Sequence, residues 1–177
     1  MPGIKIRISI FLFLLPFFCS AQQGPVDSLK KVLTTAADDT NKVNILIELS
    51  KNYLNSEPET ALKYATDARD LAHTLNFHSG EGWALKKIGQ VYNIQGKYVE
   101  ALENWKDALN VFEENGIKVG TANMLNNIGV IYYNKSLEPE ALDYYLRSLK
   151  VSEEIKDTLR IATALMNVGT VYSNKPA

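Results

Sequence analysis

The sequence predicts an all-α fold, an α-α superhelix of about three and a half helical hairpins. Two observations support this prediction. The chain repeats itself, because Gly89, Gly129 and Gly169 lie 40 residues apart in nearly the same surroundings. Within each copy the apolar residues recur at the spacing of one helix face, and glycine or proline turn signals separate the copies. The elements follow in order along the chain.

Residues 1–21 have the layout of a secretory signal peptide. Two basic residues precede an apolar run over residues 8–18, and small residues end this segment at Ala21;. The apolar run is about half as long as the ~20 residues that a membrane-spanning helix needs. We therefore expect cleavage between Ala21 and Gln22 and export of the protein to the periplasm or out of the cell.

Cleavage changes the charge and the cysteine content. Lys5 and Arg7 leave with the segment, so 17 of the 19 basic residues remain against 20 acidic ones. A chain with this acidic balance lacks a basic patch that could neutralise phosphates, which argues against nucleic acid as a partner. Cys19, the single cysteine, is also removed. The mature protein therefore depends on packing rather than on disulfides for its stability.

The repeats divide the mature chain into a leading segment and four repeat units. Each unit has a first helix and a second helix, except the last. The predicted units are 22–40, a leading segment with a short helix near 26–36; 41–79, with helices 41–54 and 57–75; 80–119, with helices 81–95 and 98–114; 120–157, with helices 120–134 and 138–155; and 158–177, the first helix of a fourth repeat. Helix 158–174 either caps the array or begins a repeat that is cut short.

The apolar spacing identifies the helices. Leu85, Ile88, Gly89 and Tyr92 follow the i, i+3, i+4, i+7 rule of one helix face, and the second helix at 101–112 follows the same rule;. Small residues at fixed places in both helices predict that the two axes approach closely, with aromatic side chains in the space that remains.

Turn signals set the predicted boundaries. Gly80 and Gly116 are expected to end helices in the left-handed conformation that glycine tolerates. Ser56 and Glu59 have the spacing of a capping box. Pro58 lies between them and fits the first turn of a helix.

At this point the residues resemble the consensus of the tetratricopeptide repeat. The second repeat carries the match at Leu85, Ile88, Gly89, Tyr92, Ala101, Trp105 and Ala108, and the third at Leu125, Ile128, Gly129, Tyr132, Ala141 and Tyr145. Ser148 stands where the last consensus alanine belongs. The period of 40 exceeds the usual ~34, so the chain resembles the long-helix type of this repeat;.

The resemblance implies a right-handed superhelix with a concave groove lined by the first helices. It also implies a non-catalytic module that binds a protein or peptide partner in that groove, or another copy of itself. The exported form resembles the N-terminal sensor regions of bacterial histidine kinases and adenylate cyclases. The alternative function is therefore the periplasmic sensor segment of a truncated signalling protein, which would contact a membrane through a span beyond residue 177.

The groove residues are expected on the first helices, away from their buried stripe. They are Lys51, Lys86, Lys87, Gln90, Asn93, Asn123, Asn126, Asn127, Tyr133 and Asn167. Asn126-Asn127 resembles the asparagines with which kinesin-light-chain-like repeats bind a peptide backbone, since an amide donates and accepts at once. The alternative is that these asparagines bond neighbouring helices or water. A carboxylate clamp of the chaperone-binding type is incomplete, because Thr163 stands where it needs a basic residue.

The sequence predicts no catalytic, metal or cofactor site. His73 and His78 are the only histidines and have no cysteine nearby, whereas zinc usually takes three or four protein ligands;. Neither of the glycine-rich phosphate-binding motifs occurs. Acidic pairs such as Asp38-Asp39 are interpreted as solvated helix ends.

Overall fold

The structure is a computed structural model and describes residues 23–173. Within these residues the chain forms eight α-helices and no strand. They are α1 (Gln23–Leu33), α2 (Thr40–Tyr53), α3 (Pro58–Thr74), α4 (His78–Ile94), α5 (Tyr98–Glu114), α6 (Lys118–Asn134), α7 (Glu138–Glu154) and α8 (Thr158–Ser173). The predicted signal peptide lies outside the described residues. The leading helix begins about three residues earlier than its apolar pattern indicated.

The helices form two layers. The first helices of successive repeats, α2, α4, α6 and α8, contact one another in that order and form one layer. The second helices, α3, α5 and α7, form the other layer, and each packs between the first helix of its own repeat and that of the next. The predicted all-α solenoid is confirmed. None of the helices in the described part of the chain is long and apolar enough to cross a membrane.

Five of the links between helices have the same three-residue geometry. The residue in the middle of each has a positive φ between 52° and 73°; these residues are Asn76, Gly96, Gly116, Ser136 and Lys156. The next N–H donates back to a carbonyl of the last helical turn, as Phe77 N does to Ala72 O at 2.8 Å and Ile117 N to Phe112 O at 2.8 Å. This is the Schellman ending of a helix, which satisfies its last carbonyls.

The prediction for Gly80 was wrong. Gly116 does end a helix, but Gly80 lies inside α4, and Asn76 takes the left-handed position in that link. An asparagine adopts this conformation at a modest cost. Gly80 is instead required by packing, because a Cβ there would lie 2.4 Å from the Phe77 ring. Because Asn76 rather than Gly80 takes the turn position, α4 begins at His78, three residues before its predicted start.

The predicted capping box does not form. Helix α3 begins after Glu57, whose carboxylate accepts a hydrogen bond from Thr60 Oγ1 at 2.9 Å, and Ser56 lies one residue too early to cap it. Pro58 occupies the first turn as expected. Asp39 caps α2, since its Oδ1 accepts from the backbone N–H of Lys42 at 3.0 Å.

Close helix packing at glycine is confirmed. A Cβ on Gly89 would lie 2.3 Å from Trp105 Nε1 and 3.1 Å from the carbonyl oxygen of Ala101. The indole is fixed there, because its Nε1 donates to Lys86 O at 3.1 Å. Gly129 has the same relation to the ring of Tyr145. These contacts bring each first helix against its second helix.

Phe112 joins two repeats. Its fully buried ring lies against Gly82 of α4 and Gly120 of α6, where an added Cβ would approach it to 2.4 Å on either side. In the next repeat Ser152 takes the equivalent place, and Ser148 takes that of the consensus alanine. The Ser148 hydroxyl is buried and donates to Ala122 O at 2.9 Å, which explains how a serine is tolerated there;.

Candidate functional site

The predicted groove residues lie on the layer of first helices. Nine of them are half-buried and one, Lys51, is exposed. The half-buried residues are Lys86, Lys87, Gln90, Asn93, Asn123, Asn126, Asn127, Tyr133 and Asn167. Their side chains are therefore partly accessible to solvent, although Tyr133 also packs against the core cluster of Ala141, Tyr145 and Val171. Their role in binding stays a prediction.

A cavity of about 270 Å³ opens on this layer between the ends of α2, α4 and α6. It is lined by Leu54, Gln90, Asn93, Ile94, Trp105, Asn127 and Val130. Three predicted amides thus converge on one cavity, beside two exposed aliphatic side chains, those of Ile94 and Val130. Amides that donate and accept, next to apolar surface, suit the backbone and side chains of an extended peptide.

A second cavity, of about 170 Å³, lies between α6, α7 and α8. Asn123 and Asn126 line it together with Arg160 and Thr163. Asn167 Nδ2 donates to Asn126 Oδ1 at 2.7 Å, which ties α8 to α6. This bond is a contact between neighbouring helices of the kind that the alternative interpretation of the asparagines expects, whereas Asn127 lines the larger cavity.

Lys86 and Lys87 give the layer a positive charge that is partly removed from water. Burial, together with the nearby positive charges of Lys87 and Arg160, lowers the pKa of Lys86 to about 8. The Lys86 ammonium lies 4.9 Å from the centre of the Trp83 ring, a cation–π contact;. Burial also lowers the pKa of Lys87, with Lys51 adding to the effect and Glu48 opposing it.

Two lysines near Lys86, namely Lys87 and Lys51, have polar partners on their own helices. Lys87 Nζ donates to Gln90 Oε1 at 3.1 Å, so the charge of Lys87 points along α4 toward the larger cavity. Lys51 Nζ pairs with Glu48 at 2.9 Å on α2. Of these lysines, Lys86 has the pKa that burial and neighbouring like charges lower most;.

Arg160 is a site residue that sequence reasoning missed. It lies in the first turn of α8, pairs with Asp157, lines the smaller cavity and acts on the pKa of Lys86. Its Nε is buried without a hydrogen-bond partner in the part of the chain that the structure describes. The signal was available, because position 160 corresponds to Gly80 and Gly120 in the preceding repeats, and an arginine there breaks the pattern.

The two histidines flank one carboxylate. His73 Nδ1 lies 3.1 Å from Glu81 Oε1, and His78 Nδ1 lies 3.9 Å from Glu81 Oε2. Among residues 23–173, no group of three metal-ligating side chains comes together. The absence of a catalytic or cofactor site stays a prediction.

Comparisons with known proteins agree with this geometry. The family model described as "Tetratricopeptide repeat" matches residues 121–155, which is most of the α6–α7 hairpin. No curated protein matches the sequence.

Solved structures share the fold at low sequence identity. The chain is similar to aspartyl phosphate phosphatase F from Bacillus subtilis, with a TM-score of 0.81 and 19% identity over 88% of this chain and 42% of that one. It is similar to a Rap protein complexed with competence and sporulation factor, with a TM-score of 0.73 and 18% identity over 86% of this chain and 46% of that one.

A third similar structure is a putative kinesin light chain with TPR-like repeats from Podosopora anserina. Its TM-score is 0.66 and its identity 13%, over 86% of this chain and 78% of that one. The chain thus spans less than half the length of the phosphatase and of the Rap protein. Residues 121–155 match the tetratricopeptide repeat model, and α2 to α8 repeat the same hairpin geometry, so the fold is a solenoid of the tetratricopeptide type.

Proposed function

We propose that this chain is a non-catalytic interaction module that binds an extended, acidic peptide segment of another protein along its layer of first helices. The observation that carries the proposal is the state of Lys86. Its side chain is half-buried with the ammonium 4.9 Å from the centre of the Trp83 ring, and burial together with the positive charges of Lys87 and Arg160 lowers its pKa to about 8. A carboxylate beside it would relieve both the desolvation and the repulsion.

The cavity that begins one helical turn further along α4, at Gln90, supplies the rest of the recognition;. Gln90, Asn93 and Asn127 present amides to the same space of about 270 Å³. Such amides pair with peptide N–H and C=O groups whatever the side chains are. Ile94 and Val130 offer apolar contact beside them. The expected ligand therefore has an acidic side chain placed next to an extended stretch with small or apolar residues.

A structure of the same fold was solved with a bound partner. The Rap protein was crystallised in complex with competence and sporulation factor. This supports the proposal only at the level of the fold, since the sequence identity is 18%. The residues that bind are taken from this chain alone.

The test is a binding screen with defined probes. An array of short synthetic peptides of varied sequence is incubated with the labelled protein, and the Kd of the strongest binder is measured by fluorescence anisotropy. We expect the binders to be enriched in aspartate and glutamate. Lys86→Met keeps the apolar stem over Trp83 but removes the charge, and we expect it to weaken binding about tenfold.

Lys106→Met is the matched control. Lys106 is exposed on α5, in the layer of second helices, so its loss removes the same charge from the other layer. If the two variants weaken binding equally, general charge attraction explains the result and the groove proposal is wrong. An array without binders, or one enriched in basic peptides, would also refute it.

Export is part of the proposal. The signal-peptide layout of residues 1–21 supports it, and the mass of the mature protein recovered from the periplasm or the medium tests it. A mature N-terminus other than Gln22 would contradict the proposed cleavage. The alternative function, a sensor segment of a signalling kinase or cyclase, predicts a hydrophobic span encoded after codon 177.

A further inference from the structure

Two successive junctions between repeats differ at equivalent positions. At the first junction, formed by α4, α5 and α6, the rings of Trp83 and Phe112 pack with their centres 5.0 Å apart. Gly82 and Gly120 lie against the Phe112 ring and leave room for it. At the second junction, formed by α6, α7 and α8, the residues 40 positions later are Asn123, Ser152, Ala122 and Arg160. Two aromatic rings are thus replaced by small polar side chains, and one glycine by an arginine.

A cavity of about 170 Å³ lies at the second junction. The hydroxyls of Ser148 and Thr163 in its wall donate to backbone carbonyls at 2.9 Å and 2.8 Å. Asn126 also lines the cavity, and its Oδ1 accepts from Asn167 at 2.7 Å, so its Nδ2 is left to donate;. A wall with these polar groups suits a small polar ligand rather than an apolar one.

Arg160 is the charged residue in this wall, and its guanidinium is only partly paired. Asp157 bonds Nη1 with one oxygen, and its other oxygen accepts from the backbone N–H of Arg160 at 3.0 Å. The Arg160 Nε is enclosed without a partner among the described residues, although 30% of the side chain stays accessible. An enclosed donor without a partner is costly, and an acceptor that reaches it removes that cost. Because Asp157 takes Nη1, the edge formed by Nε and Nη2 is left, and this edge matches the two oxygens of a carboxylate.

The surrounding charge favours an anion. Asp157 balances the charge of Arg160, but Lys86 on α4 has no acidic partner among residues 23–173. The charge of Arg160 reaches Lys86 and, together with burial, helps to lower its pKa. Positive charge is thus in excess here. A carboxylate would balance it, whereas a phosphate with twice the charge would be repelled more strongly by Asp157.

We propose that the cavity at the second junction binds a carboxylate group, held by the guanidinium of Arg160 and the amide of Asn126. On binding, the Arg160 side chain turns so that the enclosed Nε reaches the carboxylate. This group belongs to an acidic side chain of a peptide or to a free small acid. The first source rests on the proposed function, because the same peptide would place another acidic side chain at Lys86. The second source is independent of that function.

The arginine side chains supply a direct readout. Residues 23–173 contain three arginines, so nuclear magnetic resonance of the ¹⁵N-labelled protein gives three Nε–H signals, and Arg160→Gln identifies that of Arg160 by its loss. The protein is titrated with sodium acetate and, separately, with sodium chloride at the same ionic strength. We expect a saturable shift of the Arg160 signal with acetate only. Arg69 and Arg147, which have acidic partners at the surface, are the internal references.

The peptide source is tested with the strongest binder from the peptide array. We expect this peptide to shift the Arg160 signal, and Arg160→Gln to weaken its binding about tenfold. Arg147→Gln is the matched control, because Arg147 is exposed on α7 and its loss removes the same charge. Asn123→Trp restores the residue of the first junction and fills the cavity. We expect it to keep the helix content by circular dichroism and to abolish the acetate shift.

The outcomes separate this proposal from the proposed function. If acetate shifts the Arg160 signal but no peptide binds, the carboxylate comes from a free acid and only the proposed function fails. If a peptide binds but neither it nor acetate shifts that signal more than chloride does, the carboxylate proposal is wrong and the proposed function stands. A shift that persists in Asn123→Trp would also overturn the proposal, since the ligand would then lie outside the cavity.

Discussion

Alanine at Gly89 and alanine at Gly169 are predicted to have opposite effects on stability. The two glycines hold the same place in the repeat, 80 residues apart, and both lie inside a helix. The sequence alone would assign them the same response. The structure separates them, because a second helix covers Gly89, whereas no described residue lies within 4 Å of a Cβ placed on Gly169.

The magnitude follows from the contacts. At Gly89 the new Cβ would lie 2.3 Å and 2.4 Å from Nε1 and Cδ1 of Trp105, against roughly 3.5–4.0 Å for a relaxed carbon contact;. The indole is 4% exposed and bonded to Lys86 O, so it has little room to move. Overpacking of this kind costs about 1–3 kcal/mol.

Part of that cost is offset. Replacing a helical glycine by alanine favours the folded state by about 0.5–1 kcal/mol through the unfolded chain. Strain on the Trp105 hydrogen bond adds up to ~1 kcal/mol to the cost. We therefore expect Gly89→Ala to destabilise the protein by about 2 kcal/mol. At Gly169 only the favourable effect remains, and alanine should stabilise α8 by about 0.5–1 kcal/mol.

Equilibrium unfolding in urea measures both effects. Far-ultraviolet circular dichroism follows helix content, and tryptophan fluorescence follows the surroundings of Trp83 and Trp105. Hydrogen exchange of the α8 amides reports the local change at Gly169, since repeat arrays do not always unfold in one step. If alanine raises the urea midpoint at both positions, Gly89 is not a site of close helix approach and the packing argument fails.

Three further predictions follow from the same structure. Phe112→Ala should lower the free energy of unfolding in urea by about 3–5 kcal/mol, because removing the ring leaves a cavity between two repeats that Gly82 and Gly120 cannot fill;. A loss smaller than that of Leu102→Ala, at a half-buried site, would contradict this prediction. Ser50→Ala should be neutral or stabilising, since the buried Ser50 hydroxyl has no partner among the described residues. Ser148→Ala should cost about 1 kcal/mol, because it removes the hydrogen bond to Ala122 O, and a lower melting temperature for Ser50→Ala than for Ser148→Ala would refute this prediction;. Affinity for the acidic peptide should fall about tenfold between roughly pH 7 and 9, because Lys86 loses its proton near its pKa of about 8;. An affinity that does not change with pH, or a fall that persists in Lys86→Met, would show that Lys86 does not bind the acidic side chain.

Loss of the Lys86 proton, which should weaken peptide binding, should raise the stability of the free protein. Lys86 binds its proton less tightly in the folded chain, with a pKa of about 8, than at the ordinary value of 10.5. Between these two values the unfolded chain holds more protons, so the free energy of unfolding contributed by Lys86 rises with pH. Lys86→Met should remove this rise. A falling contribution would mean that an acidic side chain stabilises the charged form.

Predictions from the sequence were correct where they concern packing between the two helices of one hairpin. Gly89, Ala101 and Trp105 recur with fixed spacing, so their contact could be predicted from helix geometry alone. Gly80 was misread because the same residue type serves two purposes, a left-handed turn or a close approach. Only the position of Phe77 and Val43 around Gly80 decides between them.

The site shows the same division. The helix period placed Gln90, Asn93 and Asn127 off the core, and the structure brings them to one cavity. The helix period could not show that Asn167 bonds Asn126, or that Arg160, 74 positions further along the chain, lowers the pKa of Lys86. Such contacts depend on how neighbouring repeats are rotated against one another, and no local pattern records that rotation.

The sequence by itself determined the helices, their period and the small residues at their crossings, because each of these depends on neighbours within one hairpin. The tertiary structure decided which of these equivalent positions are buried. Gly169 holds the same place in the repeat as Gly129, yet within residues 23–173 a second helix covers Gly129 and none covers Gly169. Burial is a property of what packs against a residue, and the repeat pattern alone does not show which first helices have a second helix packed on this face.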